Sequence, residues 1–320
     1  MCGHARGVGR RERLRAAREL FWQQGGVASR RQLYAIGLKR WELRPELRAQ
    51  RWVRAGRQTI CGHTGQLSEL ARWWAATFEV GSQAALDGVT ALQAAGLRGY
   101  DDHLIHVSMP KSGRPRRCRG VRVHETRRRA AGDLVATGVP RVRPPVAAVR
   151  AALWARSDRQ SALVLTMAVQ QGLTTANAIA EALSTVRRHR RRRLLAAVLA
   201  DLLDGVRSLG ELDFARLCRE YDLPCPDRQV VRAAAGRTAY LDVAWSDYGV
   251  AVEIDGIHHA EPGQVLADAL RQNDIVRGDM VVLRVPVLGL RTEHDRFMTQ
   301  IRATLLSRGW SPFVTSEAVV

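Results

Sequence analysis

Apolar residues recur at helical spacing over 11–24, where Leu14, Ala17, Leu20 and Phe21 fall on one stripe. A Gly pair follows, and Ser29 then has the character of an N-cap before a short helix carrying Leu33 and Ile36. "KRWELRPELRAQ" predicts a third helix whose start Pro45 delays. "RWVRAGRQTICG" predicts a hairpin, with Trp52, Val53 and Ile60 around a basic tip from Arg54 to Arg57. The alanine-rich stretch 67–99 predicts helix. "HLIHVSMP" and "GVRVHET" alternate, which predicts paired strands separated by the basic loop "KSGRPRRCRG". Three prolines in "GVPRVRPPV" mark a boundary near residue 140, and helices are expected from about 145 to 204.

In the last third, Ser208 and Glu211 have capping-box spacing, followed by Leu212, Ala215 and Leu217 as a buried stripe. "AYLDVAW", "GVAVEID" and "MVVLRVP" predict strands, a helix is expected over 262–277, and a final helix places Phe297, Ile301 and Leu305 on one face. Side chains alternate along a strand. Leu241, Val243 and Trp245 therefore share one face with Val250, Val252 and Ile254 of the next strand. A turn centred on Asp247–Tyr248 sets Asp242 opposite Glu253, Ala244 opposite Ala251 and Tyr240 opposite Asp255. One face is then fully apolar, and the other gathers three carboxylates beside two alanines that leave space above them. Opposed carboxylates repel unless one is protonated or a cation lies between them. A hard divalent ion, Mg²⁺ or Mn²⁺, suits such oxygen ligands and would equip the site to cut phosphodiesters. Each acid also has an ordinary alternative: Asp255–Gly256 as a turn, Arg284 as a partner of Asp242, and Glu211 as a helix cap.

Charge narrows the partner. The chain has 320 residues, room for two or three domains, with 50 Lys and Arg against 31 Asp and Glu, a formal charge of +19. A polyanion is the expected partner, nucleic acid first. Between Met1 and Ile60 there are fifteen basic and four acidic residues. Three small helices and a hairpin with that surplus are the parts of a winged helix-turn-helix, which would meet DNA through Arg30, Arg31, Lys39, Arg40, Arg54 and Arg57. "VRRHRRRR" (Val186–Arg193) sets seven basic side chains on less than three turns and offers either a phosphate-contacting face or a connector. A basic surface does not separate DNA from RNA. The five cysteines form no metal-spaced cluster and read as reduced thiols. His103, His106 and His124 lie in or beside strands without acidic or cysteine partners at ligand spacing, and read as surface or satisfied strand histidines. With no apolar run long enough for a span and no signal-peptide core, a cytoplasmic protein without membrane attachment is expected.

"RSLGELDF", "YLDVAW", "VAVEIDGIHH" and "DALRQNDIVRGDMVVLRV" resemble the uncharacterised domain related to very-short-patch-repair endonucleases, within the PD-(D/E)XK nuclease superfamily. The likeness covers about 205–310, including a downstream Asp-x-x-Arg (Asp268, Arg271). Residues 10–60 resemble, more weakly, the winged-helix segment of abortive-infection-type antitoxin proteins. The resemblance implies metal-binding roles for Asp242, Glu253 and Glu211. It places Asp255 where the superfamily usually has lysine, and offers His258 or His259 as general base or leaving-group proton donor. Arg271 and Arg284 become candidate phosphate contacts. The expected architecture is a multi-domain α/β chain: a winged helix over 1–62, a linking α/β and helical region over 63–204, and a restriction-endonuclease-like domain over 205–320. The expected function is Mg²⁺-dependent hydrolysis of DNA. A non-catalytic regulator or antitoxin-type protein with a degenerate nuclease fold is the alternative.

Overall fold

The computed structural model describes residues 9–126, 129–204, 211–234, 237–255 and 281–312, with the side chains of 131, 204, 211–213, 228–234, 237–242 and 255 outside that description. The chain is α/β and divides into two compact units, Met1–Ala151 and Ala152–Val320.

In the first unit, α1 (Arg10–Gln23) buries Ala17 and Phe21 on the expected stripe, with Leu14 and Leu20 packed beside them. β1 (Val27–Ser29) leads into α2 (Arg30–Ala35). Ser29 caps this helix with a complete capping box: its hydroxyl accepts from the Gln32 N–H at 3.1 Å, and the Gln32 side chain accepts from the Ser29 N–H at 2.9 Å. α3 (Arg40–Arg48) starts ahead of Pro45 and runs through it. The proline only forgoes the bond to the Trp41 carbonyl, one turn back, and Pro45 itself is exposed. β2 (Val53–Arg54) and β3 (Thr59–Cys61) form the expected hairpin, and β1 adds to it as a third antiparallel strand in the order β1-β3-β2. Phe21, Leu33, Leu38, Leu43, Trp52 and Ile60 close the core between helices and sheet. The Phe21 and Trp52 rings meet edge to face at 5.1 Å.

The stretch 67–99 is not continuous helix. α4 (Glu69–Val80) is followed by β4 (Ala85–Leu86) and α5 (Gly88–Gln93). α4 starts at a Ser68 cap and packs Ala71, Trp74 and Phe78 against Val27 and Cys61. β5 (Ile105–Pro110) and β6 (Val121–Thr126) are paired as expected, but in parallel, with β4 antiparallel on the other side of β5. α6 (Pro144–Trp154) sends Arg150 to the fully buried Asp87 that caps α5, at 2.7 Å.

The second unit contains α7 (Asp158–Gln170), α8 (Ala176–Ser184), α9 (Arg192–Asp204) and α10 (Glu211–Glu220). Most of the basic run 186–193 is the connector between α8 and α9 rather than helical turns. Within it Arg191 is buried, donating to Asp158 Oδ1 at 2.7 Å and to the carbonyls of Leu153 and Ala155 at 3.2 and 2.6 Å. One of the six arginines in the run is thus a strut. The strands β7 (Asp227–Ala234), β8 (Arg237–Trp245), β9 (Val250–Asp255) and β10 (Val281–Pro286) form one sheet in the order β10-β9-β8-β7. Three strands run as an antiparallel meander, and β10 lies parallel to β9. β7 is an additional strand beyond the sequence expectation. α11 (Val287–Thr292) and α12 (His294–Ser307) complete the unit, with Phe297, Ile301 and Leu305 fully buried on one face. Arg291 grips the buried Asp201 with two hydrogen bonds, 3.1 and 3.2 Å.

Candidate functional site

α3 separates its charges by sign. Glu42 and Glu46, one turn apart, are buried towards α1 with Leu43. Glu42 takes a 2.6 Å bond from Arg13 and a 2.8 Å bond from the Lys39 N–H. That backbone bond, followed by the Arg13 guanidinium, holds its carboxyl below the usual range. Glu46 is bound by Arg51 at 2.7 Å and Arg10 at 3.1 Å, and Arg51 above all holds its carboxyl down. Both acids of α3 are therefore neutralised inwardly. The opposite face carries Arg40, Trp41, Arg44, Pro45 and Arg48, all exposed.

Between this face and the hairpin runs a cleft of about 550 Å³ lined by Arg44, Leu47, Arg48, Gln50, Trp52, Val53 and Arg54. No carboxylate lines it, and Arg44, Arg48 and Arg54 make no ion pair among the described residues. Three unneutralised guanidiniums along one groove are suited to successive phosphates. The sequence reading includes Arg54 but misses Arg44 and Arg48. Their signal was available: basic residues at 40, 44 and 48 interleave with acids at 42 and 46 on a four-residue period.

The other expected contacts distribute differently. Arg31, Lys39, Arg40 and Arg57 are exposed, whereas Arg30 is half-buried. β1 and β2 are opposite edges of the small sheet, so Arg30 and Arg31, which follow β1, leave from the edge away from Arg54. The hairpin tip is held from α4. The Glu79 carboxylate accepts from the N–H groups of Arg57 and Gln58 at 3.1 and 2.7 Å and from the Thr59 hydroxyl at 2.8 Å. A Cβ at Gly56 would collide with that carboxylate, which explains the glycine at the tip.

In the second unit, the β8–β9 register pairs Val243 with Val252, Ala244 with Ala251 and Trp245 with Val250, as the centred turn predicts. The chain reverses through a 3₁₀ turn at Ser246–Tyr248 and Gly249 at φ +63°, a left-handed position that glycine adopts without strain. Asp242 is thus the residue before a paired position on β8, and Glu253 the residue after its partner on β9. Ala244 and Ala251 are completely buried with Val282 packed against them, so the space expected above them is closed to solvent. Glu253 is about one-third exposed and lies in register with Arg284 on β10, whose Nε is 3.3 Å from its Oε2. Arg284, considered as a partner for Asp242, contacts Glu253, and the Asp242 side chain lies outside the described set.

The side chains of Glu211, Asp242 and Asp255 lie outside the described set, as do residues His258, His259, Asp268 and Arg271 and the helix expected over 262–277. Among the described residues no three His, Cys, Asp or Glu side chains assemble into a group able to hold a metal ion.

Two strand histidines form a local chain instead. His106 Nε2 is 3.1 Å from Asp102 Oδ2, and its Nδ1 is 3.0 Å from His124 Nε2, with the two rings stacked at 5.1 Å. Burial, then the neighbouring His106 and Arg122, pushes His124 down to about 3, and burial also lowers His106 against the pull of Asp102. His106 and His124 are therefore uncharged at neutral pH.

Among the described residues no helix is long and apolar enough to cross a membrane. Comparison with protein-family models and with curated protein sequences finds no match to this chain.

Proposed function

We propose that the protein binds DNA through a winged helix in its first unit and carries a nuclease-like domain in its second. The observation that carries this reading is the sign separation on α3. Its two acids are consumed by Arg10, Arg13 and Arg51, leaving Arg44, Arg48 and Arg54 around one cleft with no ion pair among the described residues. The order helix, strand, helix, helix, hairpin is what a winged helix requires, with α3 as the element presented to the duplex.

For the second unit, support comes from the sheet. The β8–β9 pairing reaches Val243–Val252, and positions 242 and 253 are the next residue on each strand, an arrangement compatible with two carboxylates holding Mg²⁺ or Mn²⁺, with Glu211 a further candidate ligand. Carboxylate oxygens are the donor type such an ion takes, and when bound it would lower the pKa of a water and stabilise charge on a phosphate. Arg284, beside Glu253, is positioned to hold a phosphate oxygen. His258, His259 and Asp255 are the candidates for proton transfer that the resemblance supplies. One contact favours a second reading, a regulator that binds DNA without cutting it: Arg284 already provides Glu253 with a positive partner at 3.3 Å.

Incubating the protein with supercoiled plasmid and Mg²⁺ or Mn²⁺, beside Glu253→Ala, separates the two. Cleavage by the wild type alone supports the nuclease. Retarded but uncut plasmid with both proteins supports the regulator. Failure to retard any DNA at low salt refutes the whole proposal.

A further inference from the structure

Trp41 is 65% exposed in the first turn of α3. Other tryptophans are covered by rings or cations: Trp52 by Phe21, Trp74 by Phe78, Trp245 by Phe214 and Trp310 by Arg302. Trp41 has no such cover among the described residues. Positions three, four and seven along a helix share a face with the first, so Arg44, Pro45 and Arg48 are its neighbours, with Arg40 adjacent. The compact ring of Pro45, one turn on, cannot fold over the indole as a long side chain would. Trp22 is still more exposed, 84%, but Arg18 and Glu19 beside it carry opposite charges. Among the described residues, only at Trp41 does a bare indole stand within an unbroken basic face.

An occupant of that face must be anionic along its length and present a flat apolar surface at intervals. Nucleic acid meets both demands, but an intact duplex hides its base faces within the stack. We propose that Trp41 is a stacking platform for an unpaired nucleobase, so that the protein prefers duplex DNA bearing a single-stranded extension over fully paired duplex. The arginines of the cleft hold the paired part by its phosphates, and the indole takes the first base beyond it. This inference rests on the DNA-binding reading above. Stacking of a base on an aromatic side chain is energetic enough for a preference on the order of tenfold.

The test compares a labelled blunt duplex with the same duplex extended by a few unpaired nucleotides, using fluorescence anisotropy with wild type, Trp41→Ala and Trp41→Phe. Wild type is expected to bind the extended DNA about tenfold more tightly. Trp41→Ala should bring the two affinities together while the salt dependence of each stays that of wild type, and Trp41→Phe should keep part of the preference. Equal wild-type affinity for the two DNAs overturns the stacking role while leaving DNA binding intact. So does a preference that survives in Trp41→Ala, or an equal loss on both DNAs. If wild type binds neither DNA, the DNA-binding reading falls and the platform with it.

Discussion

Replacing Arg44, Arg48 and Arg54 together by glutamine removes the three unneutralised cations of the cleft while keeping most of their length and polarity. Each phosphate neutralised on a duplex contributes about 0.9 to the slope of log affinity against log salt, so the triple variant should flatten that slope by about 2.7. Between roughly 50 and 200 mM salt, wild type should then lose about 40-fold more affinity than the variant. A duplex titrated by fluorescence anisotropy at four or five salt concentrations measures both slopes. The corresponding triple lysine variant retains charge but not the planar fork, and should keep the wild-type slope with a weaker absolute affinity. Because none of the three is in an ion pair among the described residues, thermal stability should hardly change. A glutamine variant whose slope differs from wild type by less than about one phosphate's worth would show that the cleft does not touch the backbone, and the assignment of α3 would fail.

Replacing Glu79 by alanine removes three hydrogen-bond acceptances from the hairpin tip. It should cost about 1–3 kcal/mol in urea unfolding and speed amide exchange at Arg57 and Gln58. Unfolded histidine binds a proton near pH 6.5, whereas folded His124 resists until about 3, so stability should fall as pH drops from 6.5 towards 3. With a discount for its partly exposed ring, the loss between pH 7.5 and 5 should be about 1–2 kcal/mol. His124→Asn should abolish most of it in thermal melts taken across that range. Asp201→Ala removes the buried carboxylate that accepts two hydrogen bonds from Arg291 and should destabilise by about 3–5 kcal/mol in urea, with much of the loss recovered when Arg291→Met is added.

Local chemistry made several elements legible. Ser29 and Gln32 announce their capping box by type and spacing, and the turn at Asp247–Tyr248 fixes the β8–β9 register. Other elements depend on partners distant in sequence. β1 is three residues long and exists because β3 offers it an edge. β7 is itself an edge strand, which needs no continuous apolar run to be recruited. The parallel pairing of β5 and β6 follows from how the chain returns, which alternation alone does not encode. At the candidate site, counting charges located the basic segment but not the face proposed to bind. Total surplus is a sum, whereas binding depends on which charges remain after Arg10, Arg13 and Arg51 have met Glu46 and Glu42. The Glu253–Arg284 contact is similar: it depends on β10 lying parallel to β9, across a stretch of chain the reading could not thread.

The Glu79 brace has a practical consequence for dissecting the molecule. A fragment cut at residue 62 would contain every helix and strand of the small N-terminal sheet, yet leave Val27 and Cys61 without the α4 side that covers them. Its hairpin tip would also lose the carboxylate that pins it. The shortest piece able to present α3 and the hairpin in their native poses should therefore extend through Val80, and shorter clones should precipitate or bind loosely.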